Sequence, residues 1–394
     1  MHKKLQLILP AIIILLGSVY FLTKPSTDSA QTPSQQNEQS GDRPNNQQDT
    51  AKATDKRYIR IAAMGDMLPH DTINLRAKTS GGYDYLPMFS EVSSELEGAD
   101  AVFCNQESPS AGENFGISGY PTFNAPTKFS ADLSKYGCNL INLANNHIAD
   151  KGQAGIDATL STWDKLNTLA VSGANSSVAQ QNQISYFDIA GKKFAFIAFT
   201  DSSNNTQISD FSINMFSESL ATSLATEASA NADYVIASTH WGVEDSPSTS
   251  ASQQSWAQLL ADGGVDLIIG TGPHVLQPVE KINDTVVLYS LGNFLSTQLT
   301  VEQLVGGIAF IDIPLGEGDP VISFLPTYMS YTWTADEASR EDLLARDNLK
   351  LYPLDKAQQV IKESLFNTTS NEQLNRVTSL LNSGGVTVEI LKSN

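Results

Sequence analysis

Polar residues of the kinds that bind metals and move protons recur directly behind short apolar runs. Gly65-Asp66 follows IRIAAM, Asn105-Gln106-Glu107 follows AVFC, and Asn145-Asn146-His147 with Asp150 follows LINLA. Further on, His240-Trp241-Gly242 with Glu244 follows YVIAST, Thr271-Gly272-Pro273-His274 follows DLIIG, and Ser290-Leu291-Gly292-Asn293 follows VVLY. Singly, each is an ordinary cap or turn residue, because Asp and Asn side chains satisfy backbone donors beside element ends. Recurrence at successive runs is what argues for one shared polar site. Glu107 is the hardest to dismiss, since an unpaired carboxylate at the end of a buried strand is costly.

Other chemistries lack their motifs. There is no Gly-x-Ser-x-Gly elbow, no Walker loop and no Gly-x-Gly-x-x-Gly behind the first run. The two cysteines, Cys104 and Cys138, cannot build a disulfide framework or a Cys-rich zinc site, and they bracket apolar runs, so buried thiols are expected. A metal must therefore be held by His, Asp, Glu or Asn. That donor set suits a divalent cation such as Zn, Mn, Fe or Ca, and a cation at such a site can clamp a phosphoryl group and acidify water.

The elements that must position these residues read as α/β. Strands are expected at Tyr58–Met64, Ala101–Cys104, Leu140–Leu143, Phe194–Phe199, Tyr234–Ser238, Val265–Ile269 and Val286–Tyr289. Helices are expected at Leu86–Glu97, Gly155–Leu166, Ser217–Ala230 and Gln253–Ala261. Apolar runs separated by helices imply buried, mostly parallel strands, and open sheets of that kind bind ligands at their carboxyl ends. Ile308–Pro314 and Ile322–Tyr328 read as later antiparallel strands, and Asn283-Asp284 as a hairpin turn.

Ahead of the folded region, Leu5–Leu22 is an 18-residue apolar stretch flanked by Lys3, Lys4 and Lys24. As a helix it would span about 27 Å, close to the hydrocarbon thickness. It has no Ala-x-Ala site behind it, so an uncleaved anchor is favoured over a signal peptide, with the rest of the chain outside the cytoplasm. The organisation expected is an anchor over residues 1–24, a polar linker over 25–56, a main domain over 57–345 and a helical appendage over 346–394. The 394-residue chain carries a net charge of −19; without the three lysines of the anchor, 21 basic side chains face 43 acidic ones, a net −22. Such a balance excludes a general nucleic-acid binder.

The motifs GDMLPH, ADAVFCNQESP, LINLANNHIADKG, STHWGVE, GPHVLQPVE and LYSLGNF occur in this order between about Tyr58 and Leu295. Together they resemble the bacterial capsule-synthesis CapA family, associated with poly-γ-glutamate capsule. That resemblance implies a calcineurin-like metallophosphoesterase fold, a two-sheet sandwich flanked by helices. By it, Asp66, Glu107, Asn146, His240 and His274 would hold metal, and His147 would protonate a leaving oxygen beside Asp150. Asn105, Glu244 and Asn293 would be supporting or substrate contacts. Two positions depart from the phosphoesterase pattern: Leu68 and Gly272 stand where imidazoles are usual. His70 would replace the first only if its loop folds back, and Gly272→His would be expected to raise metal occupancy.

The reading is thus a membrane-anchored extracytoplasmic protein of capsule or poly-γ-glutamate biosynthesis with a metal site at the strand ends. Its alternatives are a secreted metal-dependent phosphoesterase or amide hydrolase with no capsule role, and a non-catalytic subunit that holds anionic polymer beside a synthase. The partners implied are the membrane, synthase subunits and the polymer, which an acidic surface would meet through a cation.

Overall fold

A computed structural model describes residues 57–393; the proposed membrane anchor and linker lie outside them. Among the described residues, two sheets carry the fold. The strands in chain order are β1 (Tyr58–Met67), β2 (Ala101–Gln106), β3 (Leu140–Asn142) and β4 (Ala170–Ser172), then β5 (Ser185–Ile189), β6 (Lys192–Thr200), β7 (Tyr234–His240) and β8 (Leu267–Thr271). After these come β9 (Val279–Ile282), β10 (Thr285–Leu288), β11 (Asn293–Leu295), β12 (Val305–Pro314), β13 (Val321–Thr332), β14 (Asp347–Pro353) and β15 (Val388–Ile390). The helices relevant below are α1 (Asp71–Ala77), α2 (Thr127–Tyr136), α3 (Gly152–Trp163), α4 (Glu218–Asn231), α5 (Ala251–Asp262) and α6 (Ser370–Leu381).

The larger sheet runs β14-β13-β12-β1-β2-β3-β4, with β11 also paired to β1 and β15 to β13. The smaller runs β9-β10-β8-β7-β6-β5. Strands β1 to β4 are mutually parallel, as are β6, β7, β8 and β10, whereas β12 and β13 are antiparallel additions. The hairpin at Asn283-Asp284 joins β9 to β10, with Asn283 in the left-handed conformation such a turn requires.

Alternation along β6 shows how the layers stack. Phe194, Phe196 and Ala198 join the core shared with the larger sheet, and Phe196 meets Phe103 of β2 edge-on. Ala195, Ile197 and Phe199 face the other way, onto Ala221, Leu224 and Ala225 of α4 and Leu260 of α5. Successive side chains of a strand point to opposite faces, so one apolar run serves two cores. The molecule is therefore a mixed α/β sandwich with helices outside.

Three expectations are corrected. Leu86–Glu97 is not one helix but two short 3-10 turns, Leu86–Phe89 and Ser93–Leu96. The serines there compete for backbone bonds, and Ser93 Oγ donates to the Ser90 carbonyl at 3.2 Å. Residues 346–394 are not purely helical: β14 and β15 both pair with β13, and Leu351, Ile361, Val377 and Val388 enter the main core. Finally, Cys104 and Cys138 are not thiols but a disulfide, closing a 34-residue separation. Bridges of this size stabilise by about 2–4 kcal/mol. This one ties β2 to the turn after α2, directly below the polar tail of β2.

Candidate metal centre

The parallel strands run one or two residues past their apolar cores, and those extra residues form polar rungs. Across the larger sheet, Asp66 is in register with Asn293 on one side and Asn105 on the other, and Asn105 with Asn142. Across the smaller sheet, His240 is in register with Thr200 and Thr271. The two rungs meet at the carboxyl ends of both sheets.

Asp66 is fully buried and fully bonded. Its Oδ1 accepts from Asn105 Nδ2 at 2.7 Å, and its Oδ2 accepts from the Gly272 amide at 3.2 Å and lies 3.0 Å from His274 Nδ1. Burial alone would raise its pKa, but the hydrogen bond and charge of His274, with help from His240 and Asn105, outweigh it and the pKa is lowered. His274 shows the reciprocal effect: burial opposes its charge, yet Asp66, Glu244 and Asp245 raise its pKa. It also holds a φ of 60°, a strained backbone for a non-glycine residue.

Glu107 is the opposite case. It is fully buried, and neither carboxylate oxygen has a hydrogen-bond partner. Its Oε1 lies 3.6 Å from His240 Nε2 and 3.7 Å from His274 Nε2. Burial, then repulsion from Asp66 and Glu244, pushes its pKa well up. His240 is pushed down to about 4, first by burial, which the charge of Asp66 only partly offsets. Its Nδ1 is 3.1 Å from Thr271 Oγ1 and 3.9 Å from Asp66 Oδ1.

Donor atoms of Asp66, Glu107 and His240 lie within 4.8 Å of one another. An orphaned, buried carboxylate facing two imidazole nitrogens at these spacings suits a divalent cation, whose ligands sit about 2.0–2.2 Å from it. Asn146 adds a buried Oδ1 without a partner, as does Asn293, whose Nδ2 is held by Gln298 and Gln303.

A second group lies alongside. His147 Nδ1 is 2.8 Å from Asp150 Oδ2, which also accepts from the Phe123 amide at 2.7 Å. That contact fixes the orientation of the ring. Asn145 is structural, its side chain bridging Gln106 and the His147 amide. Glu244 is exposed and acts on Glu107 and His274 through charge alone.

Sequence reading passed over two contributors. Asn142 and Asn204 each touch a site residue: Asn142 Nδ2 donates to Asn105 Oδ1 at 2.9 Å, and Asn204 Nδ2 lies 3.3 and 3.4 Å from the two ring nitrogens of His147. The signal for Asn204 was present, since Asp201-Ser202-Ser203-Asn204 follows the run FAFIAFT just as the other tails follow theirs. Gly272→His is also corrected as a repair. Gly272 has a φ of 107°, and a Cβ there would lie 3.0 Å from both the amide nitrogen and the carbonyl oxygen of Trp241. No imidazole can be added without moving that backbone. His70, meanwhile, accepts from the Thr297 amide at Nδ1, 3.4 Å, so that nitrogen is not free for a metal.

Residues 60–298 match the family described as bacterial capsule synthesis protein PGA_cap. The chain belongs to this family. Among relatives, the PGA biosynthesis protein CapA of Bacillus subtilis (strain 168) is 35% identical over 170 residues, 42% of this chain and 44% of that protein. The capsule biosynthesis protein CapA of Bacillus anthracis is 29% identical over 302 residues, 68% of this chain and 71% of that protein. Less than half of the B. subtilis protein is therefore matched. Solved structures with a similar trace include a hypothetical protein from Thermus thermophilus, TM-score 0.43 at 14% identity over 68% of this chain and 98% of that one. A 5'-nucleotidase from Candida albicans scores 0.41 at 8% identity over 68% and 51%.

Proposed function

We propose that this family member is an extracytoplasmic protein of capsule or poly-γ-glutamate biosynthesis whose strand-end centre binds a divalent cation and serves a hydrolytic or transfer step. The observation that carries the reading is Glu107, a buried carboxylate with both oxygens unpartnered, set against His240 and His274. Burying such a group with both oxygens unpartnered is costly, and a cation would satisfy it. When bound, a cation there polarises a carbonyl or phosphoryl oxygen and acidifies water. Glu107 and the two imidazoles would hold it, with Asp66 as a further ligand or as the anchor of His274 Nδ1. Asp150 orients His147, whose ring is placed to pass a proton to or from the reacting group.

The Cys104–Cys138 disulfide supports export, because such bridges persist in oxidising compartments. Among the described residues no helix is long and apolar enough to cross a membrane, so the anchor proposed rests on Leu5–Leu22 alone. A second reading is a binding subunit in which the cation bridges this acidic chain, net −19, to polymer carboxylates. Metal analysis of the full chain, followed by cleavage assays on poly-γ-glutamate and a phosphodiester with and without chelator, tests both. Bound metal with chelator-sensitive turnover is the expected result. Metal without turnover selects the binding subunit, and absence of metal overturns the centre itself.

A further inference from the structure

Arg376, on the C-terminal helix α6, is half-buried and only partly satisfied. Its Nε donates to Gln373 Oε1 at 2.7 Å, and Gln373 Nε2 donates in turn to Thr368 Oγ1 at 2.9 Å, so the guanidinium is held in one place. Its Nη2 is buried and has no hydrogen-bond partner. A guanidinium does not lose its proton in a protein, so burying that edge without a partner is costly. Burial lowers its pKa, and the charge of Glu302 only partly offsets this.

Arg376 lines a cavity of about 350 Å³ between α6 and the loop that carries His274. The other walls are Asp245, Pro247, Val275, Glu302 and Leu380. Leu380 stands one helical turn beyond Arg376, on the same face, and Val275 directly follows His274. Asp245 is fixed from two sides: its amide donates to the Pro273 carbonyl at 2.8 Å, and its Oδ1 accepts from Gln303 Nε2 at 2.6 Å.

These six walls are of three kinds. Arg376 offers donors in the planar fork that pairs with a carboxylate. Asp245 and Glu302 are exposed acids, which repel a simple anion and attract an ammonium group. Pro247, Val275 and Leu380 have no polar side-chain atom and cover an apolar body. A bare phosphate or a monocarboxylate would answer Arg376 alone, and an amine would answer the acids alone. A dicarboxylate would set its second charge against the acids or the apolar wall.

We propose that this cavity binds a free α-amino acid with an apolar side chain, its carboxylate on Arg376, its ammonium facing Asp245 and Glu302, and its side chain against Pro247, Val275 and Leu380. The volume is at the small end of ordinary ligand sites, which suits a molecule of that size. None of the six walls belongs to the strand-end centre, and the site requires no metal. It gives the C-terminal helix a ligand held jointly with the His274 loop.

The test titrates L-leucine into the full chain by calorimetry, with and without chelator. Leucine should bind saturably and equally in both conditions. Isocaproate, which lacks the ammonium, and isoamylamine, which lacks the carboxylate, should each bind about tenfold or more weakly, as should L-glutamate. Arg376→Gln should weaken leucine by a similar factor. Should that variant unfold, Pro247→Trp keeps Arg376, fills the cavity from its exposed rim and should abolish leucine binding. Glu302→Gln should weaken leucine and tighten isocaproate, because it removes an acid that attracts the ammonium and repels the carboxylate. No saturable leucine binding, isocaproate or glutamate binding as tightly as leucine, or indifference to any of these substitutions overturns the site. Metal content of the untreated chain reports separately on the centre.

Discussion

The two ends of the parallel strands are built from the same residue types and are used differently. At the amino ends every such side chain named here is answered by a neighbour: Asp312 takes two bonds from Arg60, Asp100 accepts from the Arg60 amide, and Asn139 from the Val102 amide. Asp233 and Asp266 likewise accept from Lys193 and Val235. These bonds pin strand starts to adjacent turns. At the carboxyl ends, Glu107, Asn146 and Asn293 leave buried oxygens unpartnered. A buried polar atom without a partner costs about 1–3 kcal/mol, more when charged, and among the acids and amides named here that cost falls at the carboxyl ends. Satisfaction of hydrogen bonds, rather than residue type, therefore separates the scaffold from the centre.

The strongest way to break that contrast is Glu107→Gln. Cation binding should fall by more than the roughly 10–100-fold typical of outer positions, measured by metal content and calorimetry; full retention would show that the orphaned carboxylate is not a ligand. Next in size, His147→Ala should leave the metal bound and lower turnover by about 10²–10⁴-fold, read from kcat at saturating substrate. Unchanged turnover would place His147 with the scaffold.

A pH profile sharpens the contrast further. Burial, then the charge of Arg346, pushes His70 down to about 3, below the 6.5 of an unperturbed ring. A depressed pKa contributes stability that is present above pH 6.5 and is lost as the pH falls through that window, because only the unfolded chain takes up the proton. His70→Gln should therefore lose less stability between pH 7 and pH 4 than the natural chain, by on the order of 2 kcal/mol, the ring being partly open to solvent. Thermal unfolding at several pH values checks this. The smallest effect belongs to the amino ends: Asp266→Asn should cost about 1 kcal/mol in denaturant unfolding and leave metal content unaltered.

Much of the scaffold was legible in the chain. Seven apolar runs became strands because burial on both faces demands unbroken apolar sequence, and the polar tails behind them were visible for the same reason. What escaped was decided by pairing. Strands β4, β5 and β9 are short or edge segments with little apolar signal of their own. The disulfide was not legible from two cysteines 34 residues apart, since Cys104 and Cys138 become neighbours only when α2 returns the chain to the start of β3.

By itself the sequence determined the family, the α/β class and the residues gathered at the strand ends, because apolar runs and the polar tails behind them are local properties. Which of those residues would be satisfied and which left bare was settled only by tertiary structure. Asp66 and Glu107 are alike as letters, both acids behind apolar runs. Only the approach of the Gly272 loop, with an amide and His274 for Asp66 and no donor for Glu107, made one a bonded anchor and left the other without a partner.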